Sequence, residues 1–146
     1  MMEVRLGKTE DYPSACELLT EFAEELLFGF GFDISPEKIQ QTFDEVYQTS
    51  FVAIVDGEVV GTLAGRVAHN FCGRDEVYEE IIWFVRKEYR KYGVKLLRHV
   101  EQQCKEWGLS HISMSLTYGS QTDKLSRFYS RLGYEPMHTL FLKDLY

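Results

Sequence analysis

A chain of 146 residues with 45% hydrophobic and 14% aromatic residues has the size and apolar content of one domain with one core. Its net charge of −7 argues against a general affinity for nucleic acids or anionic membranes, because both attract clustered basic side chains. No apolar run approaches the roughly 18 residues that a transmembrane helix needs, and the N-terminal residues do not resemble a signal peptide. We therefore expect a single soluble domain over residues 1–146, located in the cytoplasm.

The three cysteines and four histidines of the chain do not indicate a metal site. The cysteines are odd in number, and their spacing matches neither a zinc motif nor a disulfide framework. The histidines are scattered along the sequence. We expect reduced thiols and no bound metal.

The first third of the chain predicts a strand followed by two helices. Residues 4–6 form a short strand, and Thr9 or Asp11 is placed to cap a helix whose apolar positions continue to Leu26. Ser35-Pro36 opens the second helix. Between the helices, residues 28–32 alternate phenylalanine with glycine, and these phenylalanines either cover the core or border a substrate site.

The rest of the chain predicts further strands interleaved with two helices. In order, these are strands at residues 51–55, 59–67 and 81–85, a helix from Tyr92 to Trp107, a strand at 111–117, a helix ending at Leu132 and a closing strand at 138–142. Asp56-Gly57 predicts a tight hairpin between the first two of these strands, and residues 118–122 form a loop. The element order is βααβββαβαβ.

A basic loop connects the strand at residues 81–85 to the helix that follows it. Six of the sixteen lysines and arginines fall within thirteen positions there, at Arg86, Lys87, Arg90, Lys91, Lys95 and Arg98. A helix N-terminus offers unpaired backbone N–H groups and the positive end of the helix dipole, and Gly93 allows an anion to approach the backbone closely. The loop therefore predicts a site for a phosphorylated cofactor.

Two motifs of this chain resemble the GNAT superfamily of acyl-CoA-dependent N-acetyltransferases. The segment Arg90-Lys91-Tyr92-Gly93-Val94-Lys95 resembles the family's pyrophosphate signature [QR]-x-x-G-x-[GA], and the segment Leu125-Ser-Arg-Phe-Tyr-Ser-Arg-Leu-Gly-Tyr134 resembles its late helix. Lys95 stands where the family usually has glycine or alanine, so its long side chain must point away or donate its charge to a phosphate. By element order the resemblance covers nearly the whole chain.

The resemblance implies a mixed α/β, or α+β, single-domain fold. Its central sheet is mixed and mostly antiparallel, with flanking helices, and it is splayed between the fourth and fifth strands. The implied cosubstrate is acetyl-CoA, and no metal is implied. The implied cofactor-binding residues are Val85, Arg90, Lys91, Tyr92, Gly93, Val94, Lys95 and Thr122.

The resemblance also implies a role for the Val85 backbone and for three candidate catalytic side chains, Glu80, Glu79 and Tyr129. Val85 matches the position whose backbone N–H is left free to meet the thioester carbonyl. Glu80 is the first candidate for the base that takes a proton from the attacking amine, and Glu79 is the second. Because side chains alternate along a strand, only one of these glutamates can face the cleft. Tyr129 matches the tyrosine that protonates the leaving thiolate, although its helical spacing equally fits a packed core residue.

The sequence does not decide whether the amine that accepts the acetyl group belongs to a small molecule or to a peptide or protein. Residues 1–58 contain thirteen acidic and three basic residues and flank the acceptor side of the implied cleft, so a cationic amine is expected, unless these glutamates serve only solubility. A CoA-binding or protein-interaction module with little catalysis is the alternative function, and a nucleic-acid binder fits the acidic remainder poorly. The apolar residues 139–142 predict a strand that pairs across a homodimer.

Overall fold

The computed structural model describes residues 1–117 and 122–146. Five strands form one sheet, namely β1 (Met2–Leu6), β2 (Phe51–Val55), β3 (Glu58–His69), β4 (Glu76–Val85) and β5 (His111–Ser113). Four α-helices flank it, namely α1 (Tyr12–Phe22), α2 (Pro36–Val46), α3 (Gly93–Glu106) and α4 (Thr122–Arg131). This order agrees with the sequence prediction up to α4. No helix in the described ranges is both long enough and apolar enough to cross a membrane.

The sheet is mixed, and its strands lie in chain order from β1 to β5. The pairs from β1 to β4 are antiparallel, and β4 with β5 is parallel. β5 pairs only with the stretch of β4 from Val77 to Glu79, so the two strands separate beyond that point. The predicted fold, a mostly antiparallel mixed sheet splayed between its fourth and fifth strands, is confirmed.

A β-bulge changes which side chains of β4 face each side of the sheet. Ala64 of β3 pairs with Ile82, whereas its neighbour Gly65 pairs with Glu80, so Ile81 is the extra residue. Without the bulge, Tyr78 and Val85 would lie on opposite faces, because they are seven residues apart. Both instead belong to one hydrophobic cluster. The bulge thus places the side chains of Tyr78 and Val85 on the same face of the sheet.

Each face of the sheet carries its own cluster of apolar side chains. On one face α3 packs through Leu96, Leu97 and Val100, all fully buried. On the other face α1 packs through Leu18 and Phe22, against the β4 residues Ile82 and Phe84, among others. The amphipathic stripes that predicted both helices are thus the surfaces that cover the sheet.

The predicted closing strand is wrong: residues 134–146 form neither helix nor strand. A strand is stabilised by a ladder partner, and β5 offers an edge of only three residues because the predicted strand at 111–117 is regular only over His111–Ser113. The first four residues of the predicted 118–122 loop lie outside the described residues. Large apolar side chains of the C-terminal segment are exposed, including Leu140 and Phe141.

The start and the end of the first helix also differ from the prediction. Asp11 occupies the N-cap position but does not cap through its side chain, because its carboxylate accepts hydrogen bonds from Arg5 at 2.7 Å and from the Lys8 N–H at 2.8 Å. The α-helix ends at Phe22 and continues as a π-helical turn, Ala23–Leu27. Gly31, with a φ of 83°, lies in the left-handed region that terminates helical structure.

Candidate active site

Glu80 lies where β4 and β5 separate. Its neighbour Glu79 is the last residue of β4 that pairs with β5. The Glu80 side chain is 8% exposed, and its carboxylate accepts a hydrogen bond of 2.8 Å from the Ser115 hydroxyl. Burial raises the pKa of Glu80 to about 7, and hydrogen bonds from Ser115 oppose that rise. A carboxyl group of this kind changes its charge near neutral pH, which suits proton transfer.

Tyr129 is connected to Glu80 through the same serine. Its phenol donates a hydrogen bond of 3.0 Å to the Ser115 carbonyl oxygen. Burial, and then the charge of Glu80, raise the pKa of Tyr129 above its ordinary value. The phenol is therefore protonated at neutral pH. The ring also packs against Trp83, with 6.0 Å between ring centroids, so Tyr129 is a core residue with a polar group at the cleft.

Sequence reasoning did not single out Ser115 as a site residue. Its hydroxyl binds the Glu80 carboxylate, and its carbonyl accepts from Tyr129, so one residue connects the candidate base with the candidate acid. The parallel register was the missing information. Glu79 and Ser113 are the last residues of β4 and β5 that pair, and the chain then continues to Ser115, which lies next to Glu80.

Glu79, the second candidate base, lies away from this group. Its carboxylate forms an ion pair of 2.9 Å with Arg66, and both side chains are substantially exposed. Neighbouring residues of a strand point to opposite faces. The structure therefore brings Glu80, and not Glu79, together with Tyr129.

The Val85 backbone is directed toward the gap between β4 and β5. Arg86 N–H donates to the Val60 carbonyl at 2.9 Å, so the next pair, Gly61 with Val85, is of the non-hydrogen-bonded kind. The N–H and C=O of Val85 consequently point away from β3. The Val85 carbonyl accepts a hydrogen bond of 2.9 Å from Arg90 Nε. Gly61 permits this close approach, since a Cβ there would lie 3.0 Å from Val85 Cγ2.

The arginines of the loop after β4 form ion pairs with carboxylates of α1, of the π-helical turn that follows it and of β3. A short 3₁₀ helix, Lys87–Tyr92, precedes α3. Arg86 contacts Glu21 at 3.1 Å and Glu58 at 2.9 Å. Arg90 contacts Glu25 at 3.2 Å. Much of the loop's positive charge is thus balanced within the chain.

The remaining predicted cofactor residues lie at the start of α3, apart from Thr122. Lys95 donates to the Met2 carbonyl at 2.7 Å, so its side chain points away from the loop. The Lys91 amine lies 5.0 Å from the centre of the Tyr92 ring. Gly93 is the first residue of α3, followed by the exposed Val94, and Thr122 is the first residue of α4.

An open cavity of about 770 Å³ lies between this loop and the end of the first helix. Acidic and basic residues both line it, and two ion pairs, Arg86 with Glu21 and Arg90 with Glu25, join them. The lining residues are Glu21, Glu24, Glu25, Phe84, Arg86, Lys87, Glu88 and Arg90. In the described parts of the chain, no group of three or more histidine, cysteine, aspartate or glutamate side chains is arranged to hold a metal ion.

Residues 14–134 match the family described as Acetyltransferase (GNAT) family. The chain belongs to this family. Its membership supports acetyl transfer as the general chemistry, and the resemblance inferred from the two sequence motifs is confirmed. A search of curated proteins finds no match for this GNAT chain.

Solved structures share the GNAT fold of this chain over nearly its full length. An aminoglycoside acetyltransferase from an uncultured soil metagenomic sample has a TM-score of 0.74 at 16% identity, covering 100% of this chain and 99% of the other. AAC(6')-Iy, in complex with the bisubstrate analogue CoA-S-monomethyl-acetylneamine, has a TM-score of 0.75 at 17% identity, with coverage of 99% and 98%. Ribosomal-protein-alanine N-acetyltransferase from Brucella melitensis has a TM-score of 0.75 at 14% identity, covering 99% of both chains.

Proposed function

We propose that this GNAT protein transfers an acetyl group from acetyl-CoA to a primary amine by direct attack in a ternary complex. The observation that carries the proposal is the Glu80–Ser115–Tyr129 group at the separation of β4 and β5. Val85 presents its backbone N–H to the same gap. A base, an acid and an oxyanion donor are the three functions that aminolysis of a thioester requires.

The loop and the first turn of α3 fit a CoA diphosphate. A Cβ on Gly93 would meet the Trp83 ring at 3.4 Å, so glycine lets the start of α3 pack closely on β4. Lys95 is turned away toward Met2, so the unusual lysine leaves the backbone of the first turn accessible. Lys91 adds positive charge at the same end of the helix, Arg90 can do so on leaving Glu25, and Tyr92 and Val94 flank Gly93. Thr122, at the start of α4, is proposed as a further contact to CoA. Acetyl-CoA supplies the activated acetyl thioester. The protein supplies its orientation.

Glu80 is proposed as the base because its carboxyl group is buried at the cleft. A free alkyl amine is protonated at neutral pH and must lose a proton before it attacks. A carboxylate whose pKa is about 7 accepts that proton more readily than an ordinary glutamate does. We prefer Glu80 to Glu79, whose carboxylate is held by Arg66 outside the group.

Negative charge develops on two atoms during the reaction, the thioester oxygen and the departing sulfur. Val85 is proposed to stabilise the first charge and Tyr129 to neutralise the second. The Val85 N–H donates to the thioester oxygen as negative charge develops on it. The Tyr129 phenol gives its proton to the departing thiolate, for which its O–H turns from the Ser115 carbonyl toward the cleft. Because its pKa is raised, the Tyr129 phenol stays protonated until the thiolate departs.

We propose a cationic acceptor, either a small molecule or a peptide amine. Residues 1–58, which include the cavity residues Glu21, Glu24 and Glu25, contain thirteen acidic and three basic residues, and this excess of negative charge attracts a cation. Among the proteins of similar fold, one is named for aminoglycosides and another for the alanine of a ribosomal protein. Both kinds of acceptor therefore belong in the first screen, together with simple polyamines.

The first test is calorimetric titration of the protein with acetyl-CoA and with CoA. Gly93→Glu, which places a carboxylate at the loop, should abolish binding. Glu80→Gln and Tyr129→Phe should keep CoA affinity and lose at least about a hundredfold in turnover of an accepted amine. Acetyl-CoA binding that Gly93→Glu leaves intact would contradict the proposed site.

The alternative is a CoA-binding or protein-interaction module on the same fold. It is favoured by the carboxylates that already neutralise Arg86 and Arg90. This alternative predicts weak CoA binding, or CoA binding without turnover across the amine screen. In that case Glu80→Gln and Tyr129→Phe would have no effect on any measured function.

Pairing of two chains through residues 139–142 stays a prediction, as does a cytoplasmic location. The prediction of pairing rests on the exposed apolar side chains of that segment, such as Leu140 and Phe141. Sedimentation equilibrium of the wild type and of Phe141→Lys tests the dimer. A wild type that remains monomeric at high concentration would exclude it.

A further inference from the structure

The indole N–H of Trp83 is buried without a hydrogen-bond acceptor. Trp83 Nε1 is the one side-chain nitrogen or oxygen atom found in this state among residues 1–117 and 122–146. A buried indole N–H normally has a partner, because burying an unsatisfied donor is unfavourable. The Trp83 donor therefore has an unused hydrogen bond, which a bound molecule can accept once the groups that cover Nε1 shift.

Contacts of the ring show where this donor lies. The Trp83 ring stacks on Phe128 with an interplanar angle of 28° and 6.0 Å between centroids, which fixes the plane of the indole. A Cβ built on Gly93 would lie 3.4 Å from Cζ2 and 4.0 Å from Cε2, the ring atom bonded to Nε1. The nitrogen-bearing edge of the indole therefore faces the first residue of α3.

Trp83 also lies between the two ends of the proposed cosubstrate site. It is two residues before Val85 on β4, and its side chain packs on the same cluster as Val85. The diphosphate is assigned to the start of α3 and the thioester to the Val85 N–H. A pantetheine arm that joins these two points passes the indole edge beside Gly93.

We infer that the Trp83 indole N–H donates a hydrogen bond to an oxygen of the pantetheine arm of CoA. The arm carries amide carbonyl and hydroxyl oxygens, which are suitable acceptors. This inference rests on the proposed function, because it requires CoA to occupy the cleft. It identifies Trp83 as a binding residue that the GNAT motifs do not include.

Calorimetry of Trp83→Phe tests the assignment, because phenylalanine keeps an aromatic ring beside Phe128 and removes the indole N–H together with the second ring. The titrants are CoA and 3′-phosphoadenosine 5′-diphosphate, which is CoA without its pantetheine arm. Trp83→Phe should weaken CoA about tenfold, the effect of one hydrogen bond. It should leave the affinity for the nucleotide unchanged. Trp107→Phe, at the half-exposed second tryptophan, is the matched control and should alter neither affinity.

Nuclear magnetic resonance of the ¹⁵N-labelled wild type gives a second readout that does not depend on a variant's folding. The chain has two tryptophans and hence two indole N–H signals, which the two variants assign. The Trp83 signal should move downfield on addition of CoA and stay in place on addition of the nucleotide.

Three outcomes would overturn the inference about Trp83. They are unchanged CoA affinity in Trp83→Phe, an equal loss for CoA and the nucleotide, and a Trp83 signal that is already hydrogen-bonded in the free protein. The first leaves the proposed function intact when the wild type binds and turns over acetyl-CoA. Absence of CoA binding by the folded wild type would instead refute the proposed function, and this inference with it.

Discussion

The burial of Glu80 predicts that the stability of this protein depends on pH in a way that Glu80→Gln removes. Burial raises the pKa of Glu80 from 4.5 to about 7 in the folded state. In the unfolded chain the carboxyl group returns to its ordinary value, so at intermediate pH the folded state binds more protons. The free energy of unfolding therefore falls as the pH rises through this window.

The magnitude follows from the two pKa values. A carboxyl group whose pKa rises from 4.5 to about 7 on folding contributes roughly 3 kcal/mol in total. Between pH 5 and pH 8 the expected loss is roughly 2 to 3 kcal/mol, because part of the titration in the unfolded chain is complete only below pH 5. Glu80 is buried, so solvent screening does not reduce this value substantially.

Urea denaturation of the wild type and of Glu80→Gln at pH 5 and pH 8 measures the effect. The quantity of interest is the change in unfolding free energy between the two pH values, compared between the proteins, since this difference cancels other titrating groups. Glutamine is nearly isosteric and stays uncharged, so the wild type should lose roughly 2 to 3 kcal/mol more than Glu80→Gln. At ordinary urea m-values this is a midpoint difference of about 1 M.

Glu79→Gln is the matched control for this experiment. It makes the same chemical change one residue away, on a substantially exposed carboxylate that is paired with Arg66. Its pH dependence should follow that of the wild type. Equal pH dependence in the wild type and Glu80→Gln would refute the burial of a titrating carboxyl group at the separation of the strands.

Three further predictions concern the same site. Tyr129→Phe should lower kcat by about 10²-fold to 10³-fold with CoA affinity unchanged in calorimetry; retained kcat would contradict the acid role. Lys95→Ala removes the bond to the Met2 carbonyl and should lower the free energy of unfolding by about 1 kcal/mol without changing CoA affinity, whereas a tenfold affinity loss would place its amine on a phosphate. Ser115→Ala removes a hydrogen bond that lowers the pKa of Glu80, so the acid limb of kcat/KM should move to higher pH; an unmoved limb would separate Ser115 from the base.

Much of the fold was predictable because its signals are local. The apolar run of β4, the amphipathic stripe of α3 and the turn at Asp56-Gly57 each depend on neighbours in sequence. The loop motif around Gly93 is equally local, since its function depends on one strand end and one helix start. These elements lie close to where the sequence predicts them, and the family match confirms the resemblance that they carried.

Other parts were not predictable, because they depend on partners distant in the chain. The closing strand at residues 138–142 has the apolar composition of a strand, yet a strand needs an edge to pair with, and β5 is short. Ser115 is an ordinary alternating residue until the parallel register with β4 is known. The direction of the Lys95 side chain is not predictable for the same reason, because its partner, the Met2 carbonyl, belongs to β1.

The bulge at Ile81 shows how a non-local feature sets the chemistry of local residues. Simple alternation puts Glu80 on the face opposite Trp83 and Val85. The extra residue reverses the alternation between them, so the buried carboxyl group shares a face with the indole and with the Val85 side chain. Gly65 accommodates the distortion, since a Cβ there would lie 2.6 Å from the Glu79 carbonyl oxygen and from the Tyr78 ring. The position of the proposed base at the cleft therefore depends on a glycine of the neighbouring strand as much as on the identity of residue 80.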